Sequence, residues 1–168
     1  LLLLVIVALL AGPMLALESS RWTDDWLLIL LDRSASMQIR DMTASGGSLL
    51  EANPGAVPVS RDEAVRNALG KHADLFIEQK LGGEHRQVMW LGFDGRVYDI
   101  DSPTQDAPFE IDPPNGQSTA IRTAINQALG RVAGRPVCGI VLLSDGRSPE
   151  ATGADLVRRL IQHDVRVF

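Results

Sequence analysis

The segment from Trp26 to Met37 constrains the fold more than any other part of the chain. It reads WLLILLDRSASM, so five consecutive aliphatic residues run directly into Asp32-Arg33-Ser34-Ala35-Ser36. A short, unbroken apolar run closed by polar turn residues predicts a strand that is buried on both faces. Such strands occur in parallel sheets covered by helices on both sides, where ligands bind just beyond the carboxyl ends of the strands. The segment therefore predicts an α/β sheet with Asp32, Ser34 and Ser36 at a ligand-binding edge.

The rest of the chain alternates between helical and strand patterns. A capping box at Ser60-Arg61-Asp62-Glu63 opens a helix that runs to about Gln79. Further helices are predicted from Ser118 to about 130–134 and at about 151–163, and strands at 87–93, 136–143 and 165–168. Residues 97–100 are predicted as an edge strand that returns antiparallel. This alternation predicts a Rossmann-like, doubly wound and mainly parallel sheet with helices on both faces.

The first part of the chain has a different composition. Residues 1–17 contain no charged or strongly polar side chain, and an apolar run of about this length can cross a bilayer as a helix. The alternative, the apolar core of a signal peptide, has a poor cleavage site at Leu15-Ala16-Leu17. We predict a transmembrane helix at 1–17, a juxtamembrane linker at 18–24 and a domain at 25–168. The linker carries few positive charges, which weakly favours the exterior side of the membrane.

Composition excludes some functions. The net charge is −5 over 168 residues and Lys/Arg do not cluster, so the chain is not expected to bind nucleic acid. A single cysteine, Cys138, excludes an internal disulfide and a cysteine-based zinc site. The chain begins without methionine and stops in a strand pattern, so we expect it to be a piece of a longer protein.

Three segments are predicted to end on the same side of the sheet. The first strand delivers Asp32, Ser34 and Ser36, while Ser118 and Thr119 stand where a helix begins. A later strand delivers Asp145 before a glycine. Carboxylates and hydroxyls without imidazole or thiolate suit Mg²⁺, with Mn²⁺ or Ca²⁺ as alternatives. Because hydroxyl ligands are neutral, a bound cation would keep positive charge for an acidic group of a protein partner.

These segments resemble the metal-site motifs of von Willebrand factor type A (VWA) domains. Asp32-Arg33-Ser34-Ala35-Ser36 resembles the DxSxS motif, Thr119 with the following Ala120-Ile121 resembles the threonine of the middle helix, and Ser144-Asp145-Gly146 resembles the third segment. The resemblance extends over about residues 25–168. It implies a metal-ion-dependent adhesion site in which Asp32, Ser34 and Ser36 bind the cation, with Thr119 and Asp145 bound directly or through water.

The apolar segment before the domain narrows the resemblance to bacterial membrane-anchored members of the aerotolerance type. These have an N-terminal pair of transmembrane helices, and the resemblance implies a periplasmic or extracytoplasmic domain with a MoxR-type ATPase system as a possible partner. Two features depart from the pattern. The loop at 38–60 is longer than in a minimal member, and the chain stops before the last strands and helix of that fold.

Other interpretations remain open for the same residues. A strand followed by Asp and a Mg²⁺ site also describes phosphatases of the haloacid dehalogenase type, but their DxDxT motif has an acid where Ser34 stands. No nucleophile–base pair is evident, so we expect binding rather than catalysis. A scaffold with an unused metal site is a third possibility. Asp94 could also belong to the site, although Asp94-Gly95 suits an ordinary turn, and Arg33 and Arg147 are expected to be solvated.

Overall fold

The computed structural model describes residues 25–44, 46–48, 57–72, 86–103, 111–151 and 153–168. In these ranges the chain forms one five-stranded sheet with the strand order β3-β2-β1-β4-β5. The strands are β1 (Asp25–Asp32), β2 (Arg86–Phe93), β3 (Val97–Asp99), β4 (Val137–Leu143) and β5 (Arg166–Val167). All neighbouring pairs are parallel except β2 and β3, which are antiparallel as predicted. The predicted α/β class and mainly parallel sheet are confirmed, and the topology is consistent with a Rossmann-like fold.

Strand β1 lies in the middle of the sheet and is covered on both faces. Because side chains alternate along a strand, Leu28 and Leu30 point to one face and Ile29 and Leu31 to the other. All four side chains are almost fully buried. Burial on both faces of the sheet, as inferred from the sequence, therefore explains the unbroken apolar run.

Three α-helices supply the two covering layers. They are α1 (Arg61–Lys71), α2 (Ile121–Arg131) and α3 (Ala154–Gln162). Ala124, Ile125 and Ala128 of α2 and Leu156 of α3 join the core on the Leu28 side. Leu69 of α1 packs with Trp90 on the Ile29 side. The helices thus cover both faces of the sheet, as the alternating sequence pattern predicted.

The predicted start is confirmed for α1 but is wrong for α2. Ser60 is the N-cap of α1, and its hydroxyl accepts a 3.1 Å hydrogen bond from the Glu63 amide. Helix α2, in contrast, begins at Ile121 rather than Ser118. The Ala120 amide donates a 3.0 Å hydrogen bond to the carbonyl of Asp94, so the segment before the helix is held by a tertiary contact.

The structure describes part of the long loop before α1. A 3₁₀ helix at Ala35–Gln38 follows β1, and Met42 forms isolated bridges with Ser48 and Val59.

Within the ranges given above, no helix has the length and apolar character needed to span a membrane. The predicted transmembrane helix at 1–17 and the linker at 18–24 lie outside the described residues.

Candidate functional site

The carboxylate of Asp32 occupies the centre of the candidate site. Asp32 is the last residue of β1 and is only 1% exposed. Its Oδ1 accepts a 2.9 Å hydrogen bond from the Ser34 amide, and its Oδ2 accepts a 2.6 Å bond from the Ser144 hydroxyl. Both donors are neutral, and in the described part of the chain no cationic side chain pairs with this carboxylate. A buried anion without a counter-charge is energetically unfavourable unless a cation compensates it.

Two hydroxyls stand beside this carboxylate. Ser34 precedes the 3₁₀ helix and is buried, and its Oγ lies 3.0 Å from the Oγ of Ser36. The hydrogen bond from the Ser34 amide to Asp32 Oδ1 fixes the tight turn that brings the three side chains together. The structure thus places the Ser34 amide on Asp32 and the Ser34 hydroxyl next to that of Ser36, and all three side chains offer hard oxygen atoms.

The segment before Thr119 is held against the DxSxS turn by Gly116. The Gly116 amide donates to the Arg33 carbonyl at 2.9 Å, and its own carbonyl accepts from the Ala35 amide at 2.7 Å. A Cβ at position 116 would overlap Asp94 Cβ and lie 3.0 Å from the Arg33 carbonyl oxygen. Only glycine permits this close approach of the two backbones. The loop that leads to Thr119 is thereby anchored directly on the turn.

Thr119 is buried, whereas Ser118 is exposed. The Thr119 carbonyl accepts a 2.8 Å hydrogen bond from Ser148 Oγ, which fixes its backbone. No hydrogen bond of the Thr119 hydroxyl with another described residue is found. Whether Thr119 or Ser118 is the site threonine therefore stays a prediction from the resemblance.

Asp145 is held differently from the other predicted ligands. Its Oδ2 lies 2.5 Å from Nη1 of Arg61, and its Oδ1 accepts a 3.0 Å hydrogen bond from the Arg147 amide. Arg61 also binds Asp41, with its Nε 2.8 Å from Asp41 Oδ1. The contact with Asp32 comes from Ser144, which follows β4 and precedes Asp145. Asp145 therefore follows a residue that contacts Asp32, but its own carboxylate is paired with the Arg61 guanidinium.

The contact between Arg61 and Asp41 shifts two pKa values. The hydrogen bond from Arg61 lowers the pKa of the Asp41 carboxyl below its usual value. Hydrogen bonding to Asp41 raises the pKa of the Arg61 guanidinium, and the Asp145 charge acts in the same direction. The Asp41–Arg61 pair is consequently fully ionised around neutral pH.

Arg33 corrects an expectation from the sequence, since it is 3% exposed rather than solvated. Its guanidinium forms an ion pair with Asp62 in the first turn of α1 and donates a hydrogen bond to the Asp112 carbonyl. Arg66 binds the other oxygen of Asp62 at 2.7 Å. These long-range contacts therefore connect Arg33, which follows β1, to α1 and to the loop before Gly116. Arg147, in contrast, is exposed as expected.

The donor set decides which cation the site could hold. Among the described residues no group of three or more His, Cys, Asp or Glu side chains could bind a metal ion. Any cation would be held mainly by the Asp32 carboxylate and by hydroxyls, a set of hard oxygens that suits Mg²⁺ and Ca²⁺. Asp94 stands close by, against Gly116, and its Oδ1 accepts from the Arg96 amide at 3.1 Å in the predicted turn. The residues fit a small hard cation.

The sequence did not single out Ser144 and Arg61 as site residues. Ser144 could have been found, because it follows the strand that was predicted next to the candidate site. Arg61 could not, because it lies in a capping box whose side chains carry no signal about distant partners. Its role emerges only when α1 packs against the sheet edge.

Comparisons with known proteins bear on the fold. No protein-family model matches the chain, and no curated protein matches its sequence. A crystal structure of an aerotolerance-related membrane protein from Bacteroides fragilis matches with a TM-score of 0.51 and 22% identity, over 85% of this chain and 65% of that one. The two proteins share a fold.

Two further solved structures are more distant. The ArnB paralog VWA2 from Sulfolobus acidocaldarius has a TM-score of 0.49 at 18% identity, over 86% of this chain and 34% of that one. An uncharacterised membrane-spanning protein from Vibrio fischeri has a TM-score of 0.44 at 19% identity, over 83% of this chain and 66% of that one. The chain thus spans less than two thirds of the Bacteroides and Sulfolobus structures.

Proposed function

We propose that this chain is a membrane-anchored, metal-ion-dependent protein-interaction domain of the VWA kind, which binds an acidic group of a partner through Mg²⁺. The observation that carries the proposal is the environment of Asp32. Among the described residues, this 1% exposed carboxylate accepts hydrogen bonds only from neutral donors, and the Ser34 and Ser36 hydroxyls lie 3.0 Å from each other in the turn that follows it. A bound cation would supply the missing counter-charge.

The ligands in this proposal are Asp32, Ser34, Ser36 and Thr119, with Asp145 joining directly or through water. Mn²⁺ or Ca²⁺ could replace Mg²⁺ at such a site. Where Asp145 binds through water, Asp32 is the one carboxylate of the proposed set in direct contact with the cation, which would then keep positive charge and attract an acidic side chain. This residual charge is the physical basis for expecting a protein partner that presents a carboxylate.

Binding is proposed rather than catalysis because of what stands at position 34. A haloacid dehalogenase-type phosphatase needs an acid there, and this chain has a serine whose Oγ lies 3.0 Å from Ser36 Oγ. A hydroxyl in this setting is suited to bind a cation but not to transfer protons at neutral pH. We therefore propose no enzymatic activity for the chain.

The cellular setting is a separate part of the proposal. We propose that residues 1–17 anchor the chain in a membrane and that the domain is periplasmic or extracytoplasmic. The apolar composition of residues 1–17 supports this, as does the description of the Bacteroides protein as a membrane protein. The sequence resemblance to membrane-anchored VWA proteins of the aerotolerance type makes a MoxR-type ATPase system a candidate partner.

The test is calorimetric titration of Mg²⁺ into the full chain held in detergent. Asp32→Asn keeps the size of the side chain but removes its charge, so Mg²⁺ binding should be lost. Asp155→Asn is the matched control, since that carboxylate is 92% exposed on α3, and its Mg²⁺ affinity should equal that of the wild type. Unchanged Mg²⁺ affinity in Asp32→Asn would exclude the site.

Two further measurements address the rival functions. Partner capture should require Mg²⁺ and be lost in chelator. Capture that is insensitive to chelator would instead favour a scaffold with an unused metal site. Turnover of a phosphoester panel that depends on Asp32 would favour a phosphatase and contradict the proposal.

A further inference from the structure

Arg61 lies between two carboxylates at the edge of the candidate site. As the first residue of α1 it reaches Asp145 Oδ2 with Nη1 at 2.5 Å and Asp41 Oδ1 with Nε at 2.8 Å. The Arg61 and Asp145 side chains are 13% and 5% exposed, while that of Asp41 is 44% exposed. The pair with Asp145 is thus shielded from water, and the pair with Asp41 is partly solvated.

In the buried pair, the Arg61 guanidinium contacts Asp145 Oδ2, an oxygen that the proposed function assigns to the metal. The other Asp145 oxygen accepts the Arg147 amide. A guanidinium at Oδ2 opposes the approach of a second cation, and in a shielded position this repulsion is stronger than in water. Arg61 and a divalent cation therefore compete for the same carboxylate.

Asp41 gives Arg61 an alternative partner. Both Nε and Nη2 of Arg61 already bind the Asp41 carboxylate, so loss of the Nη1 contact would leave the guanidinium paired. The residues border a cavity of about 440 Å³, lined in part by Met37, Met42 and Ala64, which gives the two groups room to separate. Exchange of Asp145 from Arg61 to a cation would therefore leave no charge buried alone.

We propose that Arg61 is an internal competitor for Asp145 that lowers the Mg²⁺ affinity of the site, with Asp41 drawing Arg61 away and so favouring the metal. The inference rests on the proposed function and adds a residue that sets its affinity. Arg61 is a positioning residue here, since it acts on the cation only through Asp145.

A purely structural role for Arg61 predicts the opposite result. If Arg61 only supported the site, Arg61→Met would loosen Asp145 and weaken Mg²⁺ binding. As a competitor, its removal frees Asp145 and tightens binding. Asp41→Asn should weaken binding, because Arg61 then has Asp145 as its main partner. The sign of the change therefore separates the two roles.

The experiment is calorimetric Mg²⁺ titration of the full chain in detergent for wild type, Arg61→Met, Asp41→Asn and the double variant. We expect Arg61→Met to tighten Mg²⁺ binding about tenfold, a typical coupling between linked sites. Asp41→Asn should weaken it, and the weakening should be strongly reduced in the Arg61→Met background if Asp41 acts through Arg61. Arg147→Met and Arg158→Met are controls that remove one positive charge near to and far from the site. Neither should reproduce the tenfold change.

The wild-type protein offers a second readout that needs no folded variant. Nitrogen NMR of the arginine side chains should show the Arg61 Nη signals shifting as Mg²⁺ is added, since the contact with Asp145 is broken. Unchanged or weaker binding in Arg61→Met, or unshifted Arg61 signals in a wild type that binds Mg²⁺, would overturn this inference and leave the proposed function standing. If neither wild type nor Arg61→Met binds Mg²⁺, both are overturned.

Discussion

The Ser144 hydroxyl donates a 2.6 Å hydrogen bond to Asp32 Oδ2 and thereby joins the carboxyl ends of β1 and β4. These parallel strands are neighbours in the order β3-β2-β1-β4-β5. The strand order reverses between them, which is where open α/β sheets bind ligands. The bond therefore lies where the topology alone would place a functional group.

Removal of this donor should weaken the fold. Ser144→Ala leaves one oxygen of a buried carboxylate without its partner, so the free energy of unfolding in chelator should fall by about 1–3 kcal/mol. Urea unfolding of the full chain measures the change. Ser102→Ala, at an exposed position, should change it by less than about 0.5 kcal/mol. Equal stability of the two variants would show that the Ser144 bond contributes nothing.

Gly116 should not tolerate a side chain. In Gly116→Ala the new Cβ would overlap Asp94 Cβ, so the loop leading to Thr119 must move. We expect a loss of about 1–3 kcal/mol in the free energy of unfolding. The Mg²⁺ affinity should fall with it.

Gly130→Ala is the matched control for this substitution. Residue 130 lies in α2, and the methyl group of an alanine there would have no contact within 4 Å outside its own helix turn, so alanine should stabilise the helix by about 0.5–1 kcal/mol. The two glycines should therefore respond with opposite signs in the same thermal or urea measurement. A neutral Gly116→Ala would mean that the loop is not anchored as described.

The buried ion pair of Arg33 should be the most sensitive charge pair of the domain. The Arg33 and Asp62 side chains are 4% and 9% exposed, and Arg33→Met leaves the buried Asp62 carboxylate with Arg66 as its remaining partner. We expect a loss of about 1.5–3 kcal/mol, measured by urea unfolding. Arg158→Met breaks a pair whose side chains are 77% and 92% exposed and should cost less than about 1 kcal/mol. Similar losses in the two variants would contradict the expectation that the buried Arg33–Asp62 ion pair contributes more to stability than the exposed pair.

Glu150 should add a pH-dependent contribution to stability. The Thr123 hydroxyl donates to its carboxylate at 2.6 Å, and this hydrogen bond lowers the pKa of Glu150 below its ordinary value of 4.5. Because the folded pKa is lowered, the stabilisation is complete above 4.5 and is lost as the pH falls through the folded value. The stability difference between wild type and Glu150→Gln, measured from about pH 3 to about pH 7, should therefore shrink on acidification.

A second substitution checks the cause of that pH dependence. Thr123→Val removes the hydroxyl donor, so the pH-dependent part of the effect of Glu150→Gln should become smaller when both substitutions are combined. An unchanged pH dependence in the Thr123→Val background would assign it to another group.

Local sequence signals determined the central strand, the DxSxS turn and the start of α1. Each depends on residues close together in the chain. The run from Leu27 to Leu31 encodes burial on two faces, the Ser34 amide reaches Asp32 two residues away, and Ser60 caps an amide three residues on. Local patterns of this kind depend on near neighbours in the chain and not on the overall packing, which is why the sheet class and the turn after Asp32 could be predicted.

Tertiary structure alone decided the partners of the charged groups. Arg33 is buried because α1 brings Asp62 to it from 29 positions along the chain, and Asp145 meets Arg61 across 84 positions. Helix α2 begins at Ile121 because Ala120 donates to the distant Asp94 carbonyl. An ion pair depends on distance and on shielding from water, and both are set by packing rather than by neighbours in sequence. The sequence therefore determined the turn that follows Asp32, and packing decided which distant groups pair with the charged side chains and with Asp32 itself.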